Sequence, residues 1–177
     1  MPNPLTPNLR VLISAQQIHD RIQEMGAQMD HEHAGETVYL IGILKGSFIF
    51  LADLARAMKT PARVEFIGIS SYGKGMTTSG EVRVTKDLDV SIEGKHVILV
   101  EDIVDTGITL TYLMQLMSQR NPKSLKVATL LDKPERRRRP VNVDYVGFKI
   151  PDEFVVGYGL DYAEDYRNLK DVCVLGL

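Results

Sequence analysis

The feature that most constrains the fold is an uninterrupted apolar run at residues 38–44, which is followed closely by apolar residues at helical spacing. A strand that is buried on both faces has such a run, and the later spacing predicts a helix over residues 48–58. Lys45, Gly46 and Ser47 lie between the two elements. They are therefore predicted to form a tight turn from a strand into a helix.

The same order of apolar run and helical spacing recurs along the chain. Ser14 and Gln17 form a capping-box pattern ahead of a first amphipathic helix over residues 14–30. Further strands are predicted at residues 64–69, 97–100 and 126–131, with a helix at 110–120. Strands that alternate with helices favour an α/β fold with a mainly parallel, twisted sheet flanked by helices.

Two parts of the chain depart from this alternation. Between residues 71 and 94 the periodicity fails around a glycine-rich stretch, which predicts a flexible lid on a hairpin. Short strand-like pieces follow at residues 143–146, 154–156 and 172–175, and we expect them to form a small hood. The chain is therefore predicted to be one domain, with a core at about 34–132 and a hood from the N-terminal residues and about 133–177.

Composition excludes several classes of protein. The chain has 21 basic and 23 acidic side chains and a net charge of −2, so no overall field favours nucleic acid or an anionic membrane. No apolar run approaches the ~20 residues that span a bilayer. The N-terminus lacks a signal-peptide pattern, and the single Cys173 cannot form an intrachain disulfide. A cytoplasmic protein with no membrane partner is expected.

Polar side chains concentrate just beyond the apolar run at residues 97–100. Glu101 and Asp102 follow it directly, and residues 105–109 then turn into the next helix. Backbone N–H groups, two threonine hydroxyls, a glycine and a helix N-terminus suit a phosphate monoester. The carboxylates suit a sugar diol and a divalent metal. A ligand with a phosphate and a metal-bound charge on one sugar would satisfy both tasks.

Other interpretations of this segment are possible from its residues alone. Asp or Thr at such a junction is often only a helix cap, and adjacent acids are often solvated. An aspartic protease would need two Asp-Thr-Gly loops in an all-β setting, whereas this chain has one copy ahead of a helix. Neither a Walker phosphate loop nor a Gly-x-Gly-x-x-Gly motif after a strand is present, so nucleotide hydrolysis and dinucleotide binding lack support.

The order of an apolar strand, Glu-Asp, two apolar residues and Asp-Thr-Gly-x-Thr resembles the phosphoribosyl pyrophosphate signature of the type I phosphoribosyltransferases. Residues 44–47, 71–72, 131–133 and 147–162 resemble, in order and spacing, the members of that family that act on 6-oxopurines. The resemblance implies the type I phosphoribosyltransferase fold and a transfer of phosphoribose to hypoxanthine or guanine. It also implies Mg²⁺ as cofactor and a homodimer or homotetramer.

Roles for single residues follow from the resemblance alone. Asp105 matches the general base near purine N7, and the turn that holds the 5′-phosphate comprises Asp105, Thr106, Gly107 and Thr109. Glu101 and Asp102 match residues that face the ribose hydroxyls and organise Mg²⁺. For Asp105, purely electrostatic or loop-forming roles stay open.

The remaining positions match the pyrophosphate, purine and lid residues of the family. Lys45, Gly46 and Arg167 match pyrophosphate contacts, with an unusual cis peptide in the first loop. Lys133 matches the donor to the 6-oxo group, and Phe154 the residue that stacks on the base. Val155 and the Asp161 region match the reader of the 2-position edge, Asp161 also matches a ligand of a second Mg²⁺, and Ser71 and Tyr72 match the lid.

Two features stay open at this point. Four consecutive arginines at residues 136–139 are expected to be a solvated loop, and they are the only support for a regulatory protein that binds nucleic acid on the same fold. A transferase for another base is the second rival. Lys133 and Phe154 favour 6-oxopurines, and the preference among hypoxanthine, guanine and xanthine is not defined.

Overall fold

The predicted alternation of strands and helices builds one large sheet with helices on both faces. The computed structural model describes residues 8–71 and 82–176, with the backbone alone for Ser71. Its elements in chain order are β1 (Asn8–Ile13), α1 (Ala15–Glu32), β2 (Val38–Leu44), α2 (Phe48–Ala57), β3 (Ala62–Ser71), β4 (Val82–Lys86), β5 (His96–Val104), α3 (Ile108–Ser118), β6 (Ser124–Asp132), a 3₁₀ turn (Pro134–Arg136), β7 (Tyr145–Lys149), β8 (Val155–Val156) and β9 (Val172–Gly176).

The large sheet has the strand order β4-β3-β2-β5-β6-β7. Neighbours from β3 to β7 run parallel, and β4 runs antiparallel to β3 at one edge. The chain moves outward in one direction from β2 to β3 and β4, then returns to the other side of β2 at β5. The carboxyl ends of β2 and β5 therefore flank a topological switch point, which is where open α/β sheets bind ligands.

Each face of the sheet is covered by helices. Apolar side chains of α1 and α2, such as Met25 and Phe50, pack with Leu40 and Ile98 on one face. Side chains of α3, such as Leu113, pack with Ile41 and others on the opposite face. Both faces of β2 are buried, which explains its unbroken apolar sequence.

The first helix begins where its sequence predicts. Ser14 accepts from the backbone N–H of Gln17 at 3.3 Å, and the Gln17 side chain accepts from the N–H of Ser14 at 2.9 Å. Asp171 adds a third contact, because its Oδ1 accepts from Ala15 N at 2.7 Å. This last contact joins the start of α1 to the C-terminal part of the chain, and no local sequence pattern predicts it.

The hood, by which we mean β1, β8, β9 and residues 150–171, contains a separate antiparallel sheet in the order β1-β9-β8. The piece predicted at residues 143–146 does not belong to it. The observed strand β7 pairs in parallel with β6 and completes the large sheet, so that part of the predicted hood is wrong. A strand of five residues gives no local sequence signal of which sheet it joins.

The hairpin predicted after β3 is observed at its base, where Ser71 and Val82 are paired in an antiparallel ladder. The glycine-rich part of the predicted lid and Tyr72 lie outside the described residues. Among the helices that are described, none combines the length and apolar character needed to cross a bilayer.

Candidate active site

The candidate active site is the crevice between the carboxyl ends of β2 and β5. A cavity of about 300 Å³ lies there, lined by the end of β2, Gly46 and the segment from Glu101 to Gly107. All the residues predicted to hold ribose and 5′-phosphate line this cavity: Glu101, Asp102, Asp105, Thr106, Gly107 and Thr109. The described structure thus brings this predicted set together at the switch point.

Glu101 and Asp102 lie within strand β5, although polar residues after an apolar run predict that the strand has ended. The apolar run ends at Val100, but the ladder continues, with Glu101 opposite Thr129 and Val104 opposite Asp132 on β6. Burial, together with the neighbouring Asp102 carboxylate, raises the pKa of Glu101 well above its usual value. Within the described residues, neither acid forms a salt bridge, so this pair is a place where a cation would be stabilised.

The turn after β5 is built to bring backbone close to a ligand. Gly107 lies at the start of α3 with a φ of 79°, a conformation that side chains disfavour. A Cβ at Gly107 would also lie 2.5 Å from the carbonyl oxygen of Arg139. The first N–H groups of α3 have no partner inside the helix, so they and the helix dipole can receive an anion such as a phosphate.

The loop after β2 packs against both the acids and the hood. The peptide bond between Leu44 and Lys45 is cis, as the resemblance implies for this loop. A Cβ on Gly46 would lie only 1.8 Å from Asp102 Oδ2. A Cβ on Gly159 would lie 2.3 Å from the carbonyl oxygen of Gly46. Two glycines therefore permit Asp102, the β2 loop and the hood to stack in close contact.

The charged side chains beside this stack form a mixed cluster. Arg167 donates to the carbonyl of Gly159 at 2.7 Å, and its Nη2 lies 3.2 Å from Asp161 Oδ1 and 3.6 Å from Glu164 Oε1. Lys45 reaches the same Glu164 at 3.0 Å. The two cations predicted to bind pyrophosphate are thus brought together by an acid that the sequence did not single out.

Lys133 and Asp105 become neighbours through the register of β5 and β6. Val104 pairs with Asp132, and the N–H of Lys133 donates to Val104 O at 2.9 Å. The Lys133 side chain is buried, and its Nζ donates to the carbonyl of Glu153 at 2.6 Å. Nζ also lies 3.6 Å from Asp152 Oδ1, so the ammonium group contacts the first residues of the hood.

Phe154 offers an open aromatic face next to Lys133. Its side chain is 45% exposed, whereas a phenylalanine that served only to pack the core would be buried. The ring of Tyr162 lies edge-on to it, with centroids 5.7 Å apart and an angle of 87°. Val155 is buried in β8, so only its backbone is available to a ligand.

The arginine run is exposed at Arg136, Arg138 and Arg139, as expected of a solvated loop, but it also contacts the site. Arg137 is paired with Asp132 and donates to the carbonyl of Asp105 at 3.3 Å, with its side chain 19% exposed. Arg136 lies 2.8 Å from Asp105 Oδ1 and 3.3 Å from Asp152 Oδ1. The backbone N–H groups of Arg138 and Arg139 donate to the Thr106 carbonyl at 2.9 Å and 3.0 Å. The run is therefore attached to the phosphate turn.

Sequence reasoning missed several residues of this site. Asp152, Gly159 and Tyr162 lie within the stretch that carried the resemblance and Glu164 lies just beyond it, but nothing in their spacing assigned them a role. Nothing in the sequence distinguished Arg136 from the three arginines that follow it. The available signal was the density of charge: an acid-rich hood segment and a basic run that both adjoin Lys133.

Residues 13–163 match the family described as "Phosphoribosyl transferase domain". This match covers most of the chain and includes the switch-point crevice, the phosphate turn and Lys133. The chain therefore belongs to the phosphoribosyltransferase family.

Relatives of similar length define the group within that family. The chain is 53% identical to a hypoxanthine phosphoribosyltransferase of Haemophilus influenzae over 162 residues, 90% of each protein. It is 48% identical to a hypoxanthine-guanine phosphoribosyltransferase of Bacillus subtilis over 166 residues, covering 94% of this chain and 92% of that protein. A crystal structure of a hypoxanthine-guanine phosphoribosyltransferase from Bacillus anthracis superposes with a TM-score of 0.92 at 47% identity, covering 97% of this chain and all of the other.

Proposed function

We propose that this protein transfers phosphoribose from phosphoribosyl pyrophosphate to hypoxanthine or guanine, as a purine salvage enzyme. The bond between ribose C1 and the pyrophosphate oxygen breaks, and pyrophosphate leaves with the electron pair. The lone pair of purine N9 forms the new bond to C1, and the proton that the base carries on N7 passes to the Asp105 carboxylate. The products are IMP or GMP and pyrophosphate.

The observation that carries this proposal is the closeness of Asp105 to Lys133. A 6-oxopurine presents N7 and O6 side by side on one edge. A carboxylate that receives the N7 proton and an ammonium group that donates to O6 must therefore be neighbours. The backbones of Asp105 and Lys133 meet this requirement, because each residue directly follows one member of the Val104–Asp132 pair. An ammonium group has no acceptor for the 6-amino group of adenine, so Lys133 favours oxopurines.

The hood supplies the rest of the purine site. The exposed face of Phe154 stacks on the base, and Tyr162 supports the ring from its edge. The backbone of Val155 and the region of Asp161 read the 2-position. The names of the relatives support hypoxanthine and guanine as the bases.

The phosphate groups fall at two other places in the crevice. The hydroxyls of Thr106 and Thr109, with the N–H groups around Gly107, bind the 5′-phosphate. Lys45, Gly46 and Arg167 bind the pyrophosphate. Before the substrate arrives, Glu164 occupies both cations, and pyrophosphate oxygens then replace this carboxylate.

Glu101 and Asp102 fit a Mg²⁺ ion, because two adjacent carboxylates, one of them desolvated, lack a cation within the described residues. Mg²⁺ is commonly held by one or two carboxylates together with waters and substrate phosphates, and Glu101 and Asp102 would supply these carboxylates. Asp161 would serve a second ion beside Arg167. When bound, the ion would neutralise charge on the departing pyrophosphate.

Three further features complete the proposal. Ser71 and Tyr72 belong to a lid that excludes water from the reacting centre. The working protein is a homodimer or homotetramer in the cytoplasm. Two arginines of the basic run are engaged with acids, so the run gives little support to nucleic acid as a partner.

An assay with each base in turn tests the function. Phosphoribosyl pyrophosphate and Mg²⁺ are mixed with hypoxanthine, guanine, xanthine or adenine, and nucleotide formation is followed by absorbance. We expect turnover with hypoxanthine and guanine and none with adenine. Asp105→Asn should lower kcat by about 10²-fold or more while changing the Kd for phosphoribosyl pyrophosphate little. An absence of nucleotide from both oxopurines would overturn the proposal.

A further inference from the structure

Arg136 lies between the catalytic turn and the hood, a place for which the proposed reaction assigns no residue. Its Nε is 2.8 Å from Asp105 Oδ1, and its Nη1 is 3.3 Å from Asp152 Oδ1. Asp152 Oδ1 is in turn 3.6 Å from Lys133 Nζ. A continuous chain of charges thus runs from the proposed general base to the proposed reader of the 6-oxo group.

The contact determines which oxygen of Asp105 can meet a substrate. Oδ1 is buried, although the whole side chain is 39% exposed. Any exposed oxygen of this carboxylate is therefore Oδ2. The Arg136 N–H is not aimed well enough to make a hydrogen bond to Oδ1, so the contact is an electrostatic one. The ion pair engages Oδ1 and leaves Oδ2 as the oxygen that can meet a ligand.

We propose that Arg136 and Asp152 act as a clasp that positions Asp105 and Lys133 for the N7 and O6 edge of the purine. This inference rests on the proposed function. Arg136 is a positioning residue, since it acts through the Asp105 carboxylate. Asp152 receives Arg136 and Lys133 on the same oxygen, so it sets the spacing between the two sides of the purine site.

The chemistry of arginine suits this role. Its nitrogens are held in one plane, so one nitrogen can face Asp105 while another faces Asp152. A lysine would keep the positive charge but could not span both carboxylates in a fixed geometry. The Arg136, Asp105 and Asp152 side chains are 43%, 39% and 47% exposed. Ion pairs as exposed as these contribute little to folding, so their loss should affect the site more than the stability.

The clasp is tested with Arg136→Gln and Arg136→Lys, with Arg138→Gln as the matched control. Arg138 is an exposed arginine of the same run, and its side chain makes no hydrogen bond or ion pair within the described residues. Values of kcat and KM are measured for hypoxanthine and for phosphoribosyl pyrophosphate. Misplacement of a catalytic group by about 1 Å can cost up to ~10²-fold.

We expect Arg136→Gln to lower kcat/KM for hypoxanthine by about 5–20-fold, with KM for phosphoribosyl pyrophosphate within about twofold. Arg136→Lys should recover only part of the loss, and Arg138→Gln should match the wild type. Asp152→Asn should give a similar loss of kcat/KM for hypoxanthine. The double variant of Arg136→Gln and Asp152→Asn should lose little more than either single variant, because both substitutions break the same clasp. A loss in Arg136→Gln no greater than in Arg138→Gln would overturn the clasp.

A crystal structure of the Arg136→Gln variant separates the clasp from the proposed function. With the clasp broken, we expect the Asp105 carboxylate to rotate and both of its oxygens to become exposed. An unrotated carboxylate would overturn the inference even if the enzyme is active. A wild-type protein that makes no nucleotide would overturn the proposed function instead, whatever the orientation of Asp105.

Discussion

At the scale of single residues, the lack of a side chain at Gly46 determines how closely the parts of this site pack. Its α-carbon lies against the Asp102 carboxylate, which also accepts from the N–H of Ile103 at 2.8 Å. On its other side, the carbonyl of Gly46 meets Gly159 of the hood. A side chain at position 46 would collide with the Asp102 side chain, which would have to move because a side chain shifts more easily than the backbone.

Gly46→Ala should therefore impair substrate binding more than folding. The added methyl group would displace Asp102 from its hydrogen bond and from the ribose and metal side of the crevice. We expect KM for phosphoribosyl pyrophosphate to rise by about tenfold, equivalent to ~1.4 kcal/mol, with a smaller effect on KM for hypoxanthine. Steady-state kinetics with each substrate varied in turn measure both constants.

Gly176→Ala is the control for this substitution. Gly176 is the last residue of β9, the central strand of the hood sheet, where a Cβ would lie 3.3 Å from Asn8 O. Its substitution should leave both KM values unchanged. Equal kinetics for the two variants would mean that the close approach of Gly46 to Asp102 has no functional weight.

At the scale of elements, α1 is anchored to the sheet at its last residue. Glu32 accepts from Lys126 of β6 at 2.6 Å and from the hydroxyl of Tyr145 of β7. These hydrogen bonds lower the pKa of Glu32 to about 2. The carboxylate is thus favoured in the folded protein relative to the unfolded chain, where the pKa is close to its ordinary value of 4.5.

The stability from Glu32 should accordingly depend on pH. A depressed pKa contributes stability that is present above the unfolded pKa and is lost as the pH falls toward the folded pKa. Glu32→Gln should lower the free energy of unfolding by about 1–2 kcal/mol at pH 7, and this difference should shrink as the pH falls from about 4.5 to 2. Urea unfolding of both proteins across this range measures it.

Glu24→Gln provides the comparison on the same helix. Glu24 forms an exposed pair with Arg21, with the Glu24 side chain 67% exposed. Such a pair contributes about 0–1 kcal/mol, so its removal should have little effect at any pH. A pH-independent loss in Glu32→Gln would mean that the carboxylate is not the group that anchors α1.

The sequence predicts most elements of the fold, because each long strand is an apolar run and α1 has a capping box. It does not predict that β7 joins the large sheet, since the local pattern of a five-residue strand does not specify whether it pairs with β6 or with the hood strands. Likewise, Asp105 and Lys133 could be named from a resemblance, but Arg136 and Asp152 could not. Their roles arise from contacts between loops that only the folded chain brings together.

At the scale of the whole molecule, the site is shared between the large sheet and the hood. Phosphoribosyl pyrophosphate would contact the loop after β2, the turn before α3 and Arg167 of the hood at once. Because these groups meet only in the folded chain, the ligand should stabilise the protein by mass action. At 100 times its Kd the gain would be ~2.7 kcal/mol.

A rise in Tm of about 5–10 °C is therefore expected with saturating phosphoribosyl pyrophosphate and Mg²⁺. Differential scanning fluorimetry measures it. Addition of a chelator should remove most of the rise, and Arg167→Gln should reduce it. A rise in Tm that persists in full with the chelator would argue against Mg²⁺ at Glu101 and Asp102. As a control, adenine in place of phosphoribosyl pyrophosphate should leave the Tm unchanged.

The order of the hood sheet also bears on how the protein is made. Within the described residues, β1 and β8 each pair with β9 alone, so neither has a neighbour in that sheet until residues 172–176 have left the ribosome. The strands around the switch point, in contrast, find their partners earlier in synthesis. A nascent chain can thus assemble the proposed crevice for sugar and phosphate first, and the proposed purine site must wait for β9.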